Sequence, residues 1–331
     1  MHLGRFPLID YAGHYCVPCG SGVLKERLFV STVGISALLI AAASSASACD
    51  LCAVYSAGQA RGQAGTGFFT GVAEQFTDFE TLQDGGHRIP SEGGSIKSAV
   101  SQLLVGYDFN PRFGLQLNLP LIYRSYASAT DHGSEAGIGD VSLLGNAHLY
   151  QRLWDRSSVD FSLLAGLKLP TGDSAWLGRP DFTDGIGGHD LALGSGSFDG
   201  IVGSGFLFTS QRFLLSSTVQ YAIRSEGDFG HQYANDLTWT IGPGAYLALS
   251  HHYTVALQAV VSGEYKGKDT FAGVPDDDSA ETIVSVGPQL TLTWSRKLSA
   301  LVGLDLPVHI DNSGVQVVPD YRLRAALTWR F

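Results

Sequence analysis

Beyond residue 48 the sequence lacks any apolar run approaching the roughly 20 residues that a membrane-spanning helix requires. Mean hydropathy is only +0.10, so a helical membrane protein is excluded. Charge is scarce as well, at 16% of residues against roughly 25% in ordinary soluble domains. Methionine occurs once, as the initiator, and no cysteine follows Cys52, which leaves the rest of the chain without a disulfide framework. Clustered bases are missing too. With 21 Lys and Arg against 31 Asp and Glu, the net charge is -10 and nucleic acid is excluded as a partner, because neutralising phosphates needs grouped cations. What is plentiful is glycine, at 41 residues, and aromatic side chains, at 11%. That pairing suits a strand-rich chain with many turns.

The amino terminus fixes a compartment. Lys25 and Arg27 precede an apolar run over 28–43, and Ala46-Ser47-Ala48 forms a small-residue cleavage site, the pattern of a secretory signal peptide. Residues 1–48 are read as leader, with translation starting near Val23, and 49–65 as a short periplasmic segment ahead of the folded part. The two CxxC pairs, Cys16/Cys19 and Cys49/Cys52, do not make a zinc ribbon, since the cleaved apolar segment lies between them. Cys49 and Cys52 remain. Ala53 rules out the CxxCH of haem attachment, leaving a disulfide in an oxidising periplasm or a site for a soft metal or redox partner. Acylation of Cys49 stays open, although Ala46 stands where a lipobox prefers leucine.

From residue 66 onward one pattern recurs. In the last segment Tyr321, Leu323, Ala325, Leu327, Trp329 and Phe331 share one parity, while Arg322, Arg324 and Arg330 share the other. Period two is a strand signal, but arginines facing a dry core would be ruinous. Both conditions are met if one face touches lipid and the other a wet lumen. Twelve such segments are legible, at 66–80, 97–109, 113–124, 139–150, 158–170, 197–209, 213–225, 236–249, 253–266, 282–294, 298–310 and 320–331. Each reaches the 9–11 residues or so of a tilted spanning strand. Their connections alternate between short and long, and the longest runs from 171 to 196. The long loops carry 16 Asp and Glu against three Lys and Arg, whereas the short turns carry six bases and one acid. The expected fold is all-β, a closed antiparallel transmembrane β-barrel of about 12 strands over 66–331, with long loops outside and short turns in the periplasm.

Parity assigns to the lumen Glu74, Asp78, Asp108, Arg124, Asp140, His148, Asp160, Lys168, Asp199, Arg224, Glu264, Lys266, Asp305, Arg322, Arg324 and Arg330. These charges either line an open path or pair across the lumen and plug it, and Arg322 and Arg324 are expected to pair with Asp305 and Glu74. Four long loops each hold one histidine, His87, His132, His189 and His231, near acidic residues. Imidazole suits zinc, copper or nickel, but no i, i+2 or i, i+4 ligand spacing is present, so they are read as solvated and neither metal nor cofactor is expected. Parity turns His148 and His309 inward, no histidine faces lipid as an outer-membrane phospholipase would require, and no G-x-S-x-G elbow occurs. The chain is not read as an enzyme.

The segments GIGDVSLLGNAHLY (137–150), LKLPTGD (167–173) and GSGSFDGIVGSGF (194–206), in that order, resemble the outer-membrane family named for the meta-pathway of phenol degradation. The resemblance implies a barrel in the outer membrane with a transport role for small, aromatic or hydrophobic compounds. The function expected is a small-solute channel; the alternative is a non-conducting scaffold that docks a periplasmic or surface partner through the CxxC segment or the loops. Tyr321, Trp329 and Phe331 likewise resemble the terminal signal read by the barrel-assembly machinery, and outer-membrane lipid is the expected surround. Replacing Phe331 with a charged residue is expected to lower the outer-membrane level of the protein while export across the inner membrane continues. Quantitative immunoblotting of membrane and periplasmic fractions checks this, and unchanged levels of a heat-modifiable barrel would refute it.

Overall fold

The computed structural model describes residues 65–91, 93–179 and 185–331. The leader, Cys49, Cys52 and all of the 49–65 segment except Gly65 lie outside the described residues. Twelve long strands form the wall: β1 Gly67–Phe79, β2 Ser95–Asn110, β3 Phe113–Ala127, β4 Ser142–Trp154, β5 Ser157–Lys168, β6 Asp199–Ser210, β7 Phe213–Ile223, β8 Asp236–Leu249, β9 Tyr253–Lys266, β10 Glu281–Trp294, β11 Leu298–Asn312 and β12 Tyr321–Arg330. Each pairs antiparallel with the next, and β12 pairs back onto β1 from Phe69↔Arg330 to Asp78↔Tyr321, closing the barrel. The chain is thus an outer-membrane β-barrel, with the strand count and spans that the alternation predicts. The fourth strand is the exception. Its upper part, His132–Ile138, pairs with β3 and is separated from β4 by a break at 139–141.

The outward face is apolar because lipid is its solvent. Val72, Leu103, Val105, Leu117, Leu163, Val302 and Leu327 are exposed on it. Aromatic rings mark both borders, as amphipathic rings do at membrane interfaces. At the short-turn end Tyr107 contacts Phe68 and Phe109 at 4.7 and 5.2 Å, and Tyr253 stacks on Trp294 at 5.9 Å. Trp329 and Phe331 are exposed at that end, whereas Tyr321 lies at the opposite border, 5.9 Å from Phe76.

Three parity assignments are corrected. Glu74 pairs in register with Ala325 and Ser101, on the outward face between Val72 and Phe76, while its neighbours Ala73 and Gln75 are buried inside. Asp78 follows the same outward parity, opposite Tyr321. The Ser101 hydroxyl donates to the Glu74 carboxylate, which lowers the cost of placing it on the lipid face midway along the strand. His309 also turns outward. A bulge at β10–β11 skips Val308 in the pairing, so the residues beyond it exchange faces, and His309 is exposed beside Thr81, Gln83, Arg88 and Asp320.

The loop between β5 and β6 folds back into the barrel mouth as a plug. A 3₁₀ turn, Ala175–Gly178, and a single helical turn, Gly188–Leu191, bring Trp176, Leu177, Ile186 and Leu191 against Phe79, Ile96 and Tyr126 on the inner wall. The Tyr126 and Trp176 rings meet edge-on at 5.6 Å, and Arg124 donates to the Ala192 carbonyl. At the plug's base the backbones of Gly172 and Gly194 touch, so that a Cβ on Gly194 would stand 2.6 Å from Gly172. Only glycine fits such an approach. Replacing Gly194 with valine is therefore expected to loosen the plug and speed proteolysis within 171–196 without changing the heat-modifiable mobility of the barrel; equal proteolysis rates would contradict this.

Candidate functional site

Below the plug a chain of buried charges runs around half the inner wall. Lys168, on β5, places its ammonium 2.9 Å from Asp140 Oδ2 and 2.8 Å from Asp199 Oδ2, and donates to Ser195 Oγ at 2.7 Å. Arg224, just past β7, continues the chain, donating to Asp199 Oδ2 at 3.0 Å and Asp236 Oδ2 at 2.7 Å. Four of the five residues come from successive strands or their ends, because inward parity puts one side chain per strand at each level. Asp140 comes from the break in the fourth strand. There its Oδ1 accepts the Thr171 and Gly172 amides at 3.1 and 3.0 Å, and its Oδ2 accepts the Ser195 amide at 2.9 Å. One carboxylate therefore pins both ends of the plug to the wall.

A second group lies on the seam side. Arg324 forks onto Asp305 with two 2.8 Å bonds, from Nε and one terminal nitrogen. Arg322 reaches across to Glu264 at 3.3 Å, and Arg330 holds Asp108 at 2.6 Å near the short-turn end. Arg322 therefore pairs with Glu264 where parity suggested Glu74. His148 and Asp160, 2.8 Å apart, face the interior lower down on β4 and β5.

These groups divide the interior into stacked spaces. On the short-turn side a cavity of about 300 Å³ is lined by hydroxyls, including Ser162, Ser216, Thr254, Thr291, Thr293 and Ser299, mixed with Leu207, Leu214, Leu301 and Tyr246. Above it a space of only about 20 Å³ remains among Gln75, Asp305, Arg322 and Arg324. Beneath the plug, about 80 Å³ is enclosed by Arg124, Arg224, Lys266 and Arg322 together with Asp190, Asp236, Glu264 and Glu281. Equal numbers of cations and anions face this last space. The barrel is wide at its short-turn end and closed by side chains and plug above.

Sequence reasoning missed one cluster. His189 on the plug, His231 between β7 and β8, and Asp269 between β9 and β10 can place a donor atom each within 4.8 Å of one another. His231 is buried, contrary to the solvated reading, and its ring lies parallel to that of His189 within 14°, at 6.1 Å. Burial pushes the His231 imidazole below its ordinary pKa, against the pull of Asp269. Burial pushes the Asp269 carboxyl up, but the Lys266 ammonium and the Ala234 amide outweigh it and hold it below the usual carboxylate range. His87 and His132 remain exposed and apart from this cluster.

A family model and one solved outer-membrane channel agree with this architecture. The family described as "Putative MetA-pathway of phenol degradation" matches residues 83–312. The crystal structure of an outer membrane channel from Pseudomonas putida F1 superposes with a TM-score of 0.62 at 16% identity, covering 81% of this chain and 96% of that one. The translocator domain of the autotransporter NalP from Neisseria meningitidis gives a TM-score of 0.40 at 12% identity, over 85% and 98% of the two chains. No curated protein matches the sequence.

The ionic chain carries its own test. Lys168→Met leaves Asp140 buried without its cation, which is expected to cost about 3–5 kcal/mol of barrel stability, the range for breaking a buried pair. Lys168→Arg retains the charge and is expected to recover most of that loss. Guanidinium unfolding in lipid vesicles measures both, and a Met variant as stable as the parent would refute the assignment.

Proposed function

The chain belongs to the MetA-pathway of phenol degradation family, and we propose that it serves as a plug-gated outer-membrane channel for small solutes that combine an apolar ring or chain with a polar group. The observation that carries this reading is the cavity of about 300 Å³ lined by hydroxyls and leucines, lying at the short-turn end of the barrel interior and separated from the plug by the layer of paired charges. A purely structural barrel has no need of such a space, because twelve-stranded walls can be bridged by the long side chains seen one layer above it. A cavity of about 150 Å³ already holds a benzene ring, so a single-ring compound fits with room for its polar substituent. Hydroxyls then accept or donate to that substituent while Leu207, Leu214 and Leu301 cover the ring. The family's description supports an aromatic solute. On this reading the acid-rich loops face outward and the wide end opens to the periplasm.

The non-conducting scaffold has one observation in its favour, the near-complete filling between Gln75 and Arg324. Planar-bilayer recordings separate the two. The intact barrel is expected to conduct weakly and intermittently, and replacing 175–191 by a short Gly-Ser linker is expected to raise its conductance several-fold. Adding a phenol should block the linker variant from the short-turn side. No current from either protein, both correctly folded, would reject the channel in favour of the scaffold.

A further inference from the structure

We propose that His189, His231 and Asp269 form a transition-metal site, for zinc, copper(II) or nickel, that staples the plug to two neighbouring outer loops. The three residues come from separate segments, and the fold alone brings their donors within 4.8 Å. That span is wider than the ~3.3 Å donor spacing of a tetrahedral site built on bonds of ~2.0–2.1 Å. A bound ion therefore draws the plug and loops together by about an ångström. Two imidazoles and a carboxylate are a donor set of the right softness for these ions, and three protein ligands leave one position for water.

Three further observations point to an ion. The His231 side chain is 9% exposed, and its Nδ1 has no hydrogen-bond partner, an unusual state for a buried imidazole nitrogen. Its Nε2 already stands 3.8 Å from Asp269 Oδ2. The surroundings also resemble the outer shell of metal sites, where carboxylates and backbone groups orient the ligating side chains. Asp190 sits 3.3 Å from His189 Nε2, the Tyr233 hydroxyl donates to the His189 carbonyl at 2.8 Å, and the Ala234 amide donates to Asp269 Oδ1 at 2.8 Å. One group opposes binding: Lys266 holds Asp269 Oδ2 at 3.0 Å. An arriving dication competes with that ammonium, and Glu281, which also faces Lys266, can receive it. Lys266 thus sets the affinity, which is to say that removing its charge should tighten binding.

The site does not rest on the channel reading, so its test is binding itself. Untagged barrel in detergent, with Cys49→Ser and Cys52→Ser to remove the thiols, is titrated with Zn²⁺ by calorimetry and with Cu²⁺ by EPR. One equivalent is expected to bind, with nitrogen hyperfine structure from two imidazoles in the copper spectrum. His189→Ala, which leaves the buried His231 in place, and Asp269→Asn are each expected to weaken Zn²⁺ by at least about tenfold. Lys266→Gln is expected to strengthen it. Heat-modifiable mobility confirms that each variant is folded. Zn²⁺ affinity unchanged in His189→Ala, or copper bound through fewer than two nitrogens, would overturn the proposal. So would weaker binding in a folded Lys266→Gln barrel.

Discussion

In hydrocarbon no backbone amide or carbonyl can go unpaired, and the seam between β1 and β12 is where this chain meets that requirement. Everything inside the barrel follows from closing it. Once the ladder is continuous, strict alternation sends every second side chain into the barrel interior, and the strands bury Lys168, Asp199, Arg224, Asp236, Glu264, Asp305, Arg322 and Arg324 there, largely out of reach of bulk water. A lone buried charge there would be very costly. The ionic chain on one wall and the Arg324–Asp305 fork on the other are therefore consequences of closure as much as features of function, and their partners come from different strands, adjacent ones for the fork and one across the lumen for Arg322 and Glu264.

Asp140 shows how wall and plug become one object. It stands where the fourth strand is interrupted, and its two oxygens collect amides from both ends of the loop and the Lys168 ammonium. The three motifs that resemble the family meet at this one place. GIGD supplies Asp140, LKLPTGD supplies Lys168 and Gly172, and GSGSFDG supplies Gly194, Ser195 and Asp199. Motifs separated by up to sixty residues of sequence were thus a single tertiary joint.

That history explains what was legible in the chain. Strand number, spans and most inward parities could be read because period two is a local property that lipid and lumen enforce on every residue. Glu74 and Asp78 share the parity of Val72 and Phe76, which lipid claims, and the fold tolerates Glu74 outside by giving it Ser101 as a donor. His309 was misread because a bulge shifts parity without any mark in the local pattern. The plug and the His189–His231–Asp269 cluster were invisible for a different reason. Their contacts join loops that are far apart in sequence, and no spacing rule reports a meeting that only barrel closure arranges.

The plug's two ends are held by unlike forces, and that decides how it can move. Its base is fixed by a desolvated ion cluster and by the Gly172–Gly194 backbone contact, neither of which can be released without stranding a buried charge. Its tip is held mainly by the burial of Trp176, Leu177, Ile186 and Leu191, each contributing about 1.5–3 kcal/mol in gross terms. Ordering the backbone of so long a loop costs conformational entropy that opposes this gain. Any release that spares the ion cluster is therefore a choice between a docked and an undocked tip, with the base as hinge. An ion bound only to the docked form, at a hundred times its dissociation constant, adds about 2.7 kcal/mol, which moves such an equilibrium roughly a hundredfold toward closure.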